Sequence, residues 1–313
     1  MGVSAVRAEK VRRWGPRFLT AGLKPVCGLL RFGALALLFT APLGALEWPA
    51  DANAVINKNF GWNDGSLPSL GDSFLGAGPV SACAQGELII ISNEDSSRIS
   101  GVPSPLGSYV AINHEDGLVS IYAHLEDVDF LPQRLDSGVI IANSGKTGCV
   151  DKNGFYFSFF DRKEKRYVNP SLLIPPMEDG AAPSIRSVKL QNSSGSLIDL
   201  SQTRNLKQGD YTINVHAQDS RTQNSDGPTA PFRITTSING AETGALVNET
   251  FFVIDGELMM KRNENVSARR VFAPYPAVEA GEIYLSRGQA NILITVQDIS
   301  GNISNAQYRV FIE

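Results

Sequence analysis

Apolar, β-branched and aromatic residues in this chain come in short runs, each ended by polar residues, glycine or proline. That texture predicts short strands joined by turns, and no segment has the spacing of a long amphipathic helix. In the first half, strands are expected near Glu87–Ser92, Gly138–Asn143 and Phe155–Asp161. A hairpin is expected from Ser108–Asn113 and Leu118–His124, because the intervening His114-Glu115-Asp116-Gly117 supplies an Asp-Gly turn.

The stretch from Ile174 to Pro183 is rich in proline and glycine and reads as a linker. Beyond it, strands are expected at Ile185–Leu190, Tyr211–Ala217, Phe232–Ile238, Thr250–Ile254, Glu282–Leu285, Ala290–Asp298 and Gln307–Ile312. About seven strands with turns between them predict a β-sandwich of immunoglobulin size. The chain is therefore expected to be all-β, with an antiparallel β-sheet domain over 55–176 and an immunoglobulin-like β-sandwich over 183–313. Within the sandwich, Asp298-Ile299-Ser300-Gly301-Asn302 has the form of an edge turn.

Residues 1–45 break this pattern. Arg31 precedes the apolar run Phe32–Phe39, and small residues follow up to Ala45, as in a secretory signal peptide. The run is short for a membrane span, so export with cleavage is expected, with an uncleaved anchor over Leu29–Ala45 as the alternative. Cys27 lies before the apolar core, where it is badly placed for lipid attachment.

Charge then narrows the partners. The leader holds seven basic residues and one acid, so its removal leaves 21 basic and 31 acidic residues, a net charge of −10. Such a chain is ill suited to nucleic acid or anionic lipid, and no membrane span is expected after cleavage. Two cysteines remain, Cys83 and Cys149. In an oxidising compartment they are either a disulfide or two free thiols, and sequence leaves both open. Gly145-Lys146-Thr147 is not a phosphate loop, because Ile140 stands where the leading glycine is needed. Sequons at Asn192, Asn248, Asn265 and Asn302 fit surface loops.

Five landmarks occur in order: Phe60-Gly61-Trp62-Asn63, Pro79-Val80-Ser81-Ala82 through Gly86, Ile121-Tyr122-Ala123-His124-Leu125, Ser144-Gly145-Lys146-Thr147-Gly148, and Val168-Asn169-Pro170. Together they resemble the lysostaphin-type (LytM) zinc endopeptidases, which cut peptide cross-bridges in bacterial cell walls. The resemblance covers about residues 60–176 and implies a LytM-like sheet for the first domain.

The family binds zinc through His-x-Gly-x-Asp and the second histidine of His-x-His. Here the first motif falls on Ser69-Leu70-Gly71-Asp72-Ser73, and the second on Tyr156-Phe157-Ser158. Ser69, Ser73 and Ser158 thus stand at ligand positions, and Tyr156 replaces a histidine that assists catalysis; His124 alone persists of four family histidines. A serine hydroxyl is a poor zinc ligand, so the resemblance implies a degenerate member with no zinc and no catalytic residue, His124 and Tyr156 being relics. His114 cannot complete the site, since it lies roughly 30 Å from His124 along one strand. On strand 154–161, Phe157 and Phe159 are expected inside, with Tyr156, Ser158 and Phe160 toward the relict cleft.

What the resemblance implies is a non-catalytic protein of the cell envelope, in the periplasm or at the cell surface. It would bind peptidoglycan or regulate a cell-wall hydrolase, as LytM-like domains without zinc ligands activate wall amidases. The alternatives are an active metalloendopeptidase with an atypical site built on Ser69, Asp72, Ser73, His124, Tyr156 and Ser158, or a structural or adhesive extracellular protein.

Overall fold

The computed structural model describes residues 45–313 except 52, 53, 66, 95–103, 176, 221–226 and 228. The leader expected over 1–45, with Cys27, lies outside the described residues save for Ala45. Among the described residues no helix is long and apolar enough to cross a membrane.

The first half contributes β1 (Val55–Lys58), β2 (Asp72–Leu75), β3 (Pro79–Ser81), β4 (Gly86–Ser92), β5 (Ser108–Asn113), β6 (Leu118–Leu125), β7 (Arg134–Leu135), β8 (Ile140–Asn143), β9 (Gly154–Asp161) and β10 (Arg166–Val168). The hairpin β5–β6 turns at Asp116 and Gly117, whose φ values of 62° and 81° are the left-handed conformation that Asp-Gly tolerates. Strand β9 is central: β6 pairs with one edge, while β2 and β10 share the other. Alternation sends Phe155, Phe157 and Phe159 into a core with Phe74, Val110 and Tyr122, as the pattern required.

The second half adds β11 (Ser184–Asn192), β12 (Leu197–Asp199), β13 (Asn205–Leu206), β14 (Gly209–Gln218), β15 (Arg233–Ile238), β16 (Ala241–Val247), β17 (Thr250–Ile254), β18 (Glu257–Lys261), β19 (Asn265–Ser267), the short helix α1 (Ala268–Phe272), β20 (Val278–Leu285), β21 (Gly288–Gln297) and β22 (Ile303–Ile312). One sheet runs β12-β11-β14-β20 and the other β13-β22-β21-β15-β16. Val188, Leu190 and Ile213 from the first bury against Ile234, Ile292 and Ile294 from the second. In β21 every second residue from Ala290 to Val296 is buried, the alternation expected of a sheet with one wet face.

One expectation is corrected. Thr250–Ile254 is a strand, but not a strand of the sandwich. As β17 it pairs with β10 through Phe252↔Arg166, Phe251↔Tyr167 and Thr250↔Val168. With β18 and β19 it extends the first sheet to the order β19-β18-β17-β10-β9-β6-β5-β4-β7. The cause is packing: Phe251 is fully buried between Phe60 and Phe272, at ring separations of 5.0 and 6.0 Å. Glu279 on β20 fastens this extension to the sandwich, taking Arg262 at 3.0 Å and Arg270 at 3.1 Å.

Of the two states the sequence left open for Cys83 and Cys149, the structure has the free thiols, Cys83 buried and Cys149 exposed. Asn248 is not on a surface loop: it is 4% exposed, its side chain donating to Pro231 O at 2.9 Å.

Candidate functional site

The residues of the two motif positions meet where β2 and β10 share the edge of β9. Strand β2 ends its pairing at Asp72↔Phe157 and β10 begins at Val168↔Phe159, so Ser158 lies in the gap between them. Gly71 closes over that gap. A β-carbon there would overlap the Phe157 carbonyl oxygen and lie 2.6 Å from Ser158 Cβ and 2.8 Å from Tyr156 Cζ. The chain passes so close to β9 that only glycine fits, and the phenol of Tyr156 reaches the backbone of the first motif.

Each ligand-equivalent hydroxyl can then be placed. Ser69 Oγ donates to Gly71 O at 2.7 Å, inside a turn closed by Gly61 N–H to Ser69 O and Ser69 N–H to Trp62 O, both 2.8 Å. Ser73 pairs with Tyr156 across the strands. Ser158 is 1% exposed, so it is a buried residue and not the lining of an open cleft, contrary to the alternation argument. Burial raises the Tyr156 phenol well above its ordinary pKa, opposed by a hydrogen bond with Ser158 and reinforced by the charge of Asp72. Asp72 is also 1% exposed, and its Oδ1 accepts the Phe60 N–H at 2.8 Å.

His124 stands beside this group, its ring 6.3 Å from that of Tyr156. Its backbone has φ 61°, unusual for a residue with a β-carbon. The conformation is held from both sides, His124 N–H donating to Leu106 O at 2.8 Å and Gly145 N–H to His124 O at 3.0 Å. Nδ1 lies 3.0 Å from Thr147 O, so in the neutral ring it carries the proton and Nε2 keeps its lone pair. Burial lowers the imidazole pKa, so the ring is neutral near pH 7. The Gly145–Gly148 loop is thus the clamp that orients His124.

This donor set does not fit zinc. It offers hydroxyls, one imidazole and a carboxylate engaged with backbone, whereas zinc sites use thiolate, imidazole and carboxylate. Among the described residues, no three His, Cys, Asp or Glu ligand atoms gather at β2 and β9; they do so only at Asp179, Asp219 and Asp298, within 4.8 Å of one another. Those carboxylates already accept N–H groups, from Ala181, Ser220 and Asn302 at 2.8–2.9 Å.

A second polar cluster had no signal in the sequence. His114 Nε2 lies 2.7 Å from Ser120 Oγ and 3.6 Å from Cys83 Sγ, and its Nδ1 lies 2.8 Å from Gln85 O. The hydroxyl oxygen of the fully buried Tyr122 accepts the Cys83 N–H at 2.9 Å. Burial pushes the Cys83 thiol up to about 11, which leaves it protonated and inert. Of this cluster only Ser120 and Tyr122 lie on a strand, β6, where alternation pairs them on one face; it says nothing of their contact with Cys83 and His114.

The sequence profile of peptidase family M23 matches residues 74–170, and a second profile, which has no description, matches residues 182–313. No curated protein matches the chain. Among solved structures, a zinc-containing peptidase from Vibrio cholerae is 22% identical over 40% of this chain and 39% of its own, with TM-score 0.34. The catalytic domain of the prophage-encoded M23 protein EnpA from Enterococcus faecalis is 18% identical over 41% of this chain and 97% of its own, TM-score 0.34. Lysostaphin from Staphylococcus simulans is 16% identical over 69% and 86%, TM-score 0.34. At scores this low the likenesses say nothing of activity.

Proposed function

Residues 74–170 being a domain of the peptidase M23 family, we propose that the chain is an exported, non-catalytic envelope protein whose peptidase-like domain binds peptidoglycan or regulates a cell-wall hydrolase. The observation behind this reading is the state of the ligand positions. Ser69 spends its hydroxyl on Gly71 O, Ser158 is buried against Tyr156, and Gly71 seals the gap between them. Without zinc there is no metal-bound water near neutral pKa and no Lewis acid for a scissile carbonyl. The Tyr156 phenol, its pKa raised by burial, is protonated at neutral pH and cannot serve as a base.

Hydrogen bonds hold the backbone around these positions, from Phe60 to Asp72, Ser69 to Gly71 and His124 to Leu106, and that favours retention for binding. Its acidic balance favours neutral or basic partners over anionic polymers. The test is to incubate the purified chain, with and without stoichiometric zinc, with peptidoglycan sacculi, alone and beside a wall amidase. The expected result is co-sedimentation or a rise in amidase activity, no soluble wall peptides from the chain alone, and no retained zinc. About one zinc per chain with release of wall peptides would overturn the non-catalytic reading; neither co-sedimentation nor an effect on the amidase would overturn the binding one.

A further inference from the structure

One end of the sheet β12-β11-β14-β20 carries a trough of about 380 Å³, within the range of ~300–1,000 Å³ that ligand sites occupy. Strand register places its side chains. Asp210 of β14 lies directly opposite Tyr284 of β20, and Thr212 lies between Glu282 of β20 and Gln191 of β11. Cross-strand partners share a face, as do residues two apart on one strand, so all five project from the same side. That side is the outer one, because the intervening Tyr211 and Ile283 are buried in the core between the sheets.

The chemistry of the trough follows from three of these residues. Tyr284 is 55% exposed, and its hydroxyl accepts from Gln208 Nε2 at 2.6 Å, which anchors the ring beside Asp210. Asp210 is exposed, and among the described residues no hydrogen bond or ion pair takes its carboxylate. Glu282 already pairs with Arg270, so Asp210 is the carboxylate left for a ligand. A carboxylate opposite an anchored aromatic ring is complementary to a compact cation. The carboxylate supplies charge and acceptor oxygens, and the ring face attracts the same cation through its quadrupole. An ammonium group has three donors and no acceptor, which matches this acceptor-rich corner. The uncharged Thr212 and Gln191 next to it suit the backbone of a peptide that carries the cation. Beyond residue 45 the chain has 31 acidic against 21 basic residues, a balance that attracts basic partners.

We propose that this trough binds a peptide through a lysine-type side chain, the ammonium lying between the Asp210 carboxylate and the face of Tyr284. The site belongs wholly to the sandwich, and its failure would leave the non-catalytic reading of the β2–β9 centre untouched.

NMR titration of the isotope-labelled full chain tests this with three probes: N-acetyl-alanyl-lysyl-alanine amide; the same tripeptide with norleucine, which keeps the chain length and loses the charge; and cellotriose, which would use the same ring as a sugar platform. Saturable shifts of the amides on β11, β14 and β20 are expected with the lysine peptide, with the other two at least about threefold weaker. Asp210→Asn and Tyr284→Ala, each checked by its thermal melt, are expected to weaken the lysine peptide by about threefold or more. Glu115→Gln removes a charge from the distant β5–β6 turn and is expected to leave binding unchanged. If either trough variant fails to fold, the other decides. The proposal is overturned if the lysine peptide gives no saturable shift there, if the norleucine peptide or cellotriose binds as well, if the folded trough variants bind like the parent, or if Glu115→Gln weakens binding equally.

Discussion

Replacing Glu279 with alanine tests how the two halves of the molecule are joined. The Glu279 side chain is 7% exposed and that of Arg262 14%, so their 3.0 Å pair joins a buried carboxylate to a mostly buried guanidinium. Arg262 also donates to the Glu279 carbonyl, and Arg270 reaches the same carboxylate with Nε at 3.1 Å and Nη2 at 3.3 Å. Arg270 is 54% exposed, and it also pairs with Glu282. Burial pulls the Arg262 pKa down even against Glu279, whereas Glu279 leads in raising that of Arg270, so the first guanidinium is the one that depends on its partner to stay charged. Removing the carboxylate leaves the mostly buried Arg262 with only the backbone carbonyl of residue 279 and the charge of Glu282, a loss of about 3–5 kcal/mol. At roughly 2–4 °C per kcal/mol for a unit of this size, Tm falls by roughly 6–20 °C. Arg270→Ala removes only a rim contact and costs at most about 1 kcal/mol. Replacing both buried partners together, Arg262→Met with Glu279→Leu, recovers most of the loss because no orphan charge remains. Urea unfolding followed by circular dichroism measures all of these. A loss below about 1 kcal/mol for Glu279→Ala, or an equal loss for Arg270→Ala, refutes the reasoning.

Three further outcomes follow from the same geometry. Gly71→Ala drives a β-carbon into the Phe157 carbonyl and Ser158, and costs about 1–3 kcal/mol in urea unfolding, whereas Gly76→Ala meets no atom and is limited by its φ of 107°. With its pKa near 11, Cys83 is thiolate in only about one part in a thousand at pH 8, so brief alkylation followed by peptide mapping modifies Cys149 and spares Cys83; equal labelling contradicts the burial of Cys83. Burial lowers the pKa of His114, His124 and His216 in the fold, so the unfolded chain binds more protons below about pH 6.5. Their contribution to stability is complete above that pH and declines as pH falls through it; a melting temperature that is flat between pH 7.5 and 5.5 counts against it.

Local pattern was enough for elements whose signal is local. The Asp116-Gly117 turn, the inward phenylalanines of β9 and the strand at Thr250–Ile254 are all where the residues predicted. The strand β16 and the hairpin partner β18 left little trace, because Ala241-Glu242-Thr243-Gly244 and Glu257-Leu258 do not alternate cleanly. The neighbour of Thr250–Ile254 was not legible at all. Which edge a strand joins depends on where Phe60 and Phe272 bring Phe251, and those contacts span most of the chain. At the site, motif spacing located Ser69, Ser73, Tyr156 and Ser158 together with His124. It could not show that Ser158 is buried, since that depends on Gly71 passing within contact of β9. The meeting of Cys83 with His114 depends likewise on strands paired far apart in sequence.

The addition of β17 to β10 bears on inheritance as well as on structure. A gene cut near Pro176 would encode a first domain whose outermost strand, only three residues long, ends in bare amide and carbonyl groups. Shuffling the peptidase-like half onto another partner would meet the same obstacle, since the new neighbour would have to bring its own hairpin to that edge. Deletion mapping that assigns an activity to one half would therefore record the collapse of the other. The two halves are best regarded as one heritable cassette, to be moved, trimmed or fused only as a whole.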